Sequence, residues 1–134
     1  MLMSKLGLWM DLNEAVIIDP EKKKLIRVES GVEHFHPKGG SRSKTKYGPQ
    51  EVISESKMLE RKKHQLRDYF LSIKSNLGEL KELVVFGPAE AKVEFKRFAD
   101  LDHLLKGKVS GVKAADNRFT DNQLLEWVRN FFED

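Results

Sequence analysis

Four consecutive apolar residues, Leu83-Val84-Val85-Phe86, run directly into Gly87-Pro88. A strand with one wet face alternates apolar and polar residues, whereas an unbroken run marks a strand buried on both faces. Such a strand needs a layer of helix on each side of its sheet, which points to an α/β architecture. Glycine permits the sharp turn after the strand, and proline is pre-set for a first helical position. The sequence therefore predicts a helix from Pro88 to about Ala99, burying Ala91, Phe95 and Phe98.

The segments on either side complete the plan. Leu6 to Met10 and Ala15 to Ile18 are β-prone runs separated by Asp11-Leu12-Asn13-Glu14, whose Asp and Asn supply turn chemistry. Pro20 ends the second strand, and Leu25, Ile26 and Val28 suggest a third that reaches about Val32. From about Glu55 to Leu77 the period changes to 3.6, with Met58, Leu59, Leu66, Tyr69, Phe70, Ile73 and Leu77 on one face and Gly78 as the stop. Leu101, Leu104 and Leu105 continue an apolar stripe beyond the second helix, and Lys108 to Ala115 reads as a last strand. Thr120-Asp121-Asn122-Gln123 is a capping box that opens a closing helix with Leu124, Leu125, Val128, Phe131 and Phe132 on one side. The expected order is βββαβαβα, a mixed β-sheet with flanking helices on the ribonuclease-H-like plan. A chain of 134 residues is enough for one such domain, 1–134.

Charge is unevenly spread. The net charge is +3, yet residues 34–67 hold nine Lys/Arg against three Asp/Glu, and the flanking thirds are slightly acidic. No carboxylate occurs from His34 to Gln50, where Lys38, Arg42, Lys44 and Lys46 stand among Gly39, Gly40, Ser41, Ser43 and Pro37. This stretch lacks hydrophobic periodicity and is expected to form a basic flexible loop at 34–50. A confined positive field attracts polyanions, and Lys57, Arg61, Lys62 and Lys63 could extend it into the first helix. Tyr47 offers one stacking ring, and no base-reading code is visible. The alternative is an ordinary solvated loop.

Other chemistry has less support. The absence of cysteine excludes disulfides and cysteine–zinc sites. His34-x-His36 lacks the further ligands zinc requires, so no metal site is expected. Asp11, Glu14, Asp19, Glu90 and Asp116 are the acids a two-metal nuclease would draw on, but Asp11 and Asp19 sit at turns where aspartate is expected anyway. Ser41 and Ser43 lie near histidines without a G-x-S-x-G elbow. Gly87-Pro88-Ala89-Glu90 fits a self-capped helix better than a phosphate cradle, because Pro88 removes a donor and Glu90 adds negative charge. No catalytic residue and no cofactor are assigned. No apolar run approaches a membrane span and no signal peptide is convincing, so a cytoplasmic location without membrane attachment is the default. The aromatic tail, with Trp127, Phe131 and Phe132, would mark a partner surface if exposed, which makes a protein-interaction module the alternative to an RNA-binding domain.

Leu8-Trp9-Met10-Asp11, Glu14-Ala15-Val16-Ile17, the G-P-x-x-A-K junction Gly87-Pro88-Ala89-Glu90-Ala91-Lys92 and the tail from Ala115-Asp116 to Phe131-Phe132 resemble small bacterial proteins grouped as translational machinery components. Within that resemblance Trp9, Asp11, Gly87, Pro88, Ala91 and Lys92 are the signature positions. These proteins in turn resemble the central domain of archaeal and eukaryotic class 1 peptide-chain release factors and of Pelota. In release factors the loop after the third strand carries a G-G-Q tripeptide that assists peptidyl-tRNA hydrolysis. Here Gly39-Gly40 is followed by Ser41. The resemblance therefore implies a domain that engages ribosomal RNA or tRNA through Lys38, Gly39, Gly40, Ser41, Arg42, Lys44 and Lys46 without that hydrolysis.

Overall fold

The computed structural model describes residues 4–32, 48–116 and 119–133, with the backbone alone for residues 48–55. Strands β1 (Ser4–Met10), β2 (Glu14–Asp19) and β3 (Lys24–Glu29) are followed by helix α1 (Gly48–Ser75). Strand β4 (Leu80–Gly87), helix α2 (Ala91–Leu101), strand β5 (Val109–Ala114) and helix α3 (Asp121–Glu133) complete the chain. The element order is the expected βββαβαβα, and the strands form one mixed sheet in the order β3-β2-β1-β4-β5. β1 pairs antiparallel with β2 and parallel with β4, and β4 pairs parallel with β5.

The pleat sorts side chains between two cores. Leu6, Leu8, Met10, Ala15, Ile17, Leu83 and Val85 meet Tyr69, Phe70, Ile73 and Leu77 of α1 and its neighbourhood, together with Phe95 and Ala99 of α2. Trp9, Val16, Ile18, Val84 and Phe86 point the other way, toward Leu124 and Val128 of α3. The Leu83–Phe86 run is fully buried, as the absence of alternation requires. The aromatic tail closes this second layer: Trp127 stacks on Phe86 at 3.8 Å, and Phe131 stacks on Trp127. A Cβ on Gly7 would overlap Val128, so the missing side chain is what lets α3 lie close on β1.

Local signals behave as their chemistry dictates. Asp11 Oδ1 accepts from the N–H groups of Asn13 (2.8 Å) and Glu14 (2.9 Å), and Asp19 Oδ1 accepts from those of Glu21 and Lys22 (both 3.1 Å). In the capping box, Thr120 N–H donates to Gln123 Oε1 at 2.9 Å and Gln123 N–H donates to Thr120 Oγ1 at 3.1 Å.

Several boundaries differ from expectation. β3 stops at Glu29 instead of about Val32, because Ser30 Oγ accepts the Val32 N–H across Gly31, whose φ is +65°. α1 starts at Gly48, seven residues before the expected Glu55, so the last residues of the 34–50 segment are helical. Gly48-Pro49 reads as loop punctuation, yet proline is well tolerated in a first helical turn, where its missing N–H would have had no partner. α2 starts at Ala91 instead of Pro88: Pro88 to Glu90 form a bend and Glu90 is the N-cap. The stripe expected past α2 is only partly buried. Leu105 is inside, whereas Leu101 is 90% and Leu104 54% exposed.

Candidate nucleic-acid interface

β1, β3, β4 and β5 all run in one direction and β2 runs against them, so one edge of the sheet collects four strand ends and the start of β2. At this edge lie Met10, Glu29, Gly87 and Ala114, with Glu14 beside them. The carboxyl ends of parallel strands are where open α/β sheets place ligands. The chain leaves β3 here toward residues 33–47 and returns through α1, which runs back to the opposite edge before β4 begins.

Two contacts lock this edge. Gly87, with φ +155°, brings the β4 terminus against the Met10 backbone so closely that a Cβ would overlap the Met10 carbonyl oxygen. Tyr69 of α1 donates its hydroxyl to the Asp11 carbonyl at 2.8 Å. Burial, and then the nearby Asp11 and Glu14 carboxylates, push the Tyr69 phenol far above its ordinary value, so it remains a donor throughout the neutral range.

Tyr69 marks how far α1 overshoots. A 28-residue helix is about 42 Å long at about 1.5 Å per residue, while seven-residue β1 spans about 23 Å at about 3.3 Å per residue. Because Tyr69 already reaches the end of β1 and Leu66 still packs on the core, residues 48–65 run beyond the edge for about 27 Å. Burial follows the same division. Tyr69, Phe70 and Ile73 are core residues, Leu66 is half-buried, and Leu59 is 63% exposed. The apolar stripe read in the sequence thus serves the core only in its second half.

The projecting half carries Lys57, Arg61, Lys62, Lys63 and Arg67, all exposed. Among the described residues, Lys57, Lys62, Lys63 and Arg67 have no carboxylate within ion-pair distance. Elsewhere Arg27 pairs with Asp121 at 2.8 Å, Lys74 with Asp102 at 2.7 Å and Lys96 with Asp100 at 2.8 Å. The expected contact residues Lys38, Gly39, Gly40, Ser41, Arg42, Lys44 and Lys46 lie outside the described residues, as do His34, His36, Ser43 and Tyr47.

The signature positions converge on the locked edge. Trp9 Nε1–H donates to the Asp116 carbonyl at 3.0 Å, fastening the segment after β5 to β1. Ala91 is buried under the bend, and Lys92 donates to the Ala89 carbonyl. Val93 and Glu94 donate their N–H groups to the Glu90 carbonyl at 2.9 and 3.1 Å. The nuclease candidates are not gathered. Asp19 sits at the opposite edge from Asp11 and Glu14, and Asp11 is engaged by its own turn. Among the described residues, no three His, Cys, Asp or Glu side chains group to hold a metal. No helix among them is long and apolar enough to cross a membrane.

Sequence reasoning missed the Tyr69 tether, whose only sequence signal is a tyrosine on a core stripe. It also missed a cluster of Lys5, Lys81 and Arg129 at the far edge, which no local pattern reveals because its members are brought together by the fold.

No family profile and no curated protein matches the chain. Among solved structures it is similar to the archaeal translation termination factor aRF1, at 20% identity and a TM-score of 0.42, over 96% of this chain and 39% of that one. It is also similar to the Pelota protein of Thermoplasma acidophilum, at 20% identity and a TM-score of 0.44, over 96% of this chain and 32% of that one. The chain thus spans well under half the length of either.

Proposed function

We propose that this domain binds ribosomal RNA or tRNA at the sheet edge from which α1 projects, as a release-factor-like module acting in the cytoplasm. The observation that carries the reading is the projecting half of α1: Lys57, Lys62, Lys63 and Arg67 are exposed without carboxylate partners among the described residues. That helix continues directly from the stretch 34–50, which contains no carboxylate. Unpaired cations on an extended surface neutralise phosphates and release counterions. In this reading Lys38, Arg42, Lys44 and Lys46 contact phosphates, while Gly39 and Gly40 allow close backbone approach beside Ser41. Ser41 lacks the amide of a glutamine side chain, so the domain engages RNA without hydrolysing peptidyl-tRNA. Trp127 stacks on Phe86 and Phe131 on Trp127, so the half-buried aromatic tail is already engaged in part by the domain's own second layer, which favours the RNA reading over a protein-interaction module.

The test is co-sedimentation with ribosomes and filter binding to tRNA at two salt concentrations. Binding should weaken steeply with salt. A variant with alanine at Lys57, Lys62, Lys63 and Arg67 should lower the slope of log K against log salt by about 0.7–0.9 per lost phosphate contact. Absence of binding at low salt, or an unchanged slope in the variant, refutes the proposal.

A further inference from the structure

The edge of the sheet opposite the projecting helix carries a second cationic site, separate from the proposed RNA surface. It is a cavity of about 470 Å³ lined by Lys5, Pro20, Glu21, Lys81, Arg129, Phe132 and Glu133. That volume lies in the range of small-molecule sites, about 300–1,000 Å³. The three cations come from separate elements: Lys5 is the second residue of β1, Lys81 the second residue of β4, and Arg129 lies in α3. Because β1 and β4 are parallel neighbours, their first turns of chain lie side by side, and the turn between β2 and β3 closes the same edge.

The charges around the cavity are poised for an anion. Lys81 and Arg129 have no carboxylate within ion-pair distance among the described residues, and Lys5 reaches Glu82 only at 4.0 Å. Lys5 Nζ also lies 5.9 Å from the centre of the Phe132 ring. Lys5, Lys81 and Arg129 outnumber the lining carboxylates Glu21 and Glu133, and a bound phosphate would relieve the excess positive charge.

The two carboxylates of the lining narrow the ligand class. Glu21 and Glu133 repel a bare polyanion, but they accept hydrogen bonds from hydroxyl or amino groups. Phe132 is half-buried and contributes an apolar ring. A ligand that satisfies all of these carries a phosphate, sugar hydroxyls and a flat apolar ring. We propose that this cavity binds a nucleoside phosphate, its phosphate on Lys81 and Arg129, its hydroxyls on Glu21 or Glu133, and its base against Phe132.

The experiment is a titration of the full chain with ADP, inorganic pyrophosphate and adenosine, each to about 5 mM so that even a millimolar site fills. Binding is followed by NMR shifts of the Phe132 ring and of the Arg129 side chain. ADP should bind more tightly than pyrophosphate, and adenosine at least tenfold more weakly than ADP. Lys81→Ala and Arg129→Ala should each weaken ADP at least fivefold, and Phe132→Leu should weaken ADP while sparing pyrophosphate. Glu21→Gln should raise pyrophosphate affinity. All are exposed or half-exposed positions, and an unchanged melting temperature verifies that each variant is folded. No ADP-induced shift at these residues overturns the proposal, as does ADP binding that the Lys81 and Arg129 variants leave unchanged. If these variants weaken tRNA binding as much as ADP binding, the cavity is part of an RNA surface and the nucleotide assignment fails.

Discussion

Replacing Gly87 with alanine tests whether the locked sheet edge is held by backbone contact. Two penalties add at this position. Gly87 has φ +155°, a region essentially reserved for glycine, where a side chain costs about 1–3 kcal/mol. The new Cβ would also overlap the Met10 carbonyl oxygen and sit 3.2 Å from its carbon. That neighbour is backbone of a central strand paired on both sides, so it cannot swing away as a side chain could. Moving it disturbs pairing in β1 and the Tyr69 bond to Asp11, which brings the expected total to about 3–5 kcal/mol. In a domain of this size that is a fall of roughly 11–18 °C in Tm. Gly78→Ala is the control: its φ is +66° and no atom lies within 4 Å of the added Cβ, so only strain of about 1 kcal/mol remains. Urea denaturation of both variants separates the terms. If Gly87→Ala costs no more than Gly78→Ala, the close approach to Met10 has no energetic weight and this account of the G-P turn is wrong.

Two further substitutions probe the anchors of α1. Tyr69→Phe removes the hydroxyl donor to the Asp11 carbonyl and should cost about 1–1.5 kcal/mol in chemical denaturation, and a loss below about 0.3 kcal/mol would show that the tether is not a working bond. Lys74→Met removes the partner whose hydrogen bond is the chief cause holding Asp102 below its ordinary value of 3.8. A depressed carboxylate stabilises the fold above its unfolded pKa, so the deficit of Lys74→Met should be full at neutral pH and vanish as pH falls below 3.8, whereas a deficit constant with pH would refute the pairing.

How far the sequence revealed the fold depended on whether the signal was local. The buried run Leu83–Phe86, the capping box at Thr120 and the Asx turn at Asp11 are each decided within a few residues, and each is found where its chemistry requires. Boundaries failed where two local rules conflict. Gly48-Pro49 can end a loop or open a helix, and only the helix that follows decides between them. Periodicity also overstated burial, because Leu59 keeps the phase of Ile73 and Tyr69 although the sheet edge lies behind it. A helix pattern encodes a face without encoding how much partner lies opposite that face. The cationic cavity of Lys5, Lys81 and Arg129 was invisible for a related reason: its members are far apart in sequence and meet only because β1 lies beside β4, with a register shift at Lys5, and the last helix packs on the same sheet.

That overshoot of α1 has a dynamic consequence that can be measured. Most helix stability in proteins comes from packing, and isolated helices are marginal in water. In α1 the packing ends near Leu66, so residues 56–65 depend on helix propensity and local side-chain pairs. Their amide hydrogens should exchange through local fraying, with an opening free energy near zero to 2 kcal/mol, while those of Tyr69 to Ile73 open only with the body. Hydrogen exchange followed by mass spectrometry should therefore show a gradient of at least tenfold within one continuous helix, falling toward its N-terminal end. Addition of tRNA should slow exchange selectively before Leu66 if the unpaired cations there hold phosphates, because each contact adds stability to the frayed half without touching the core. Uniform protection along α1 in the free domain would mean that its exposed half is stabilised by something other than the body of this fold, and would undo the description of it as a projecting cationic arm.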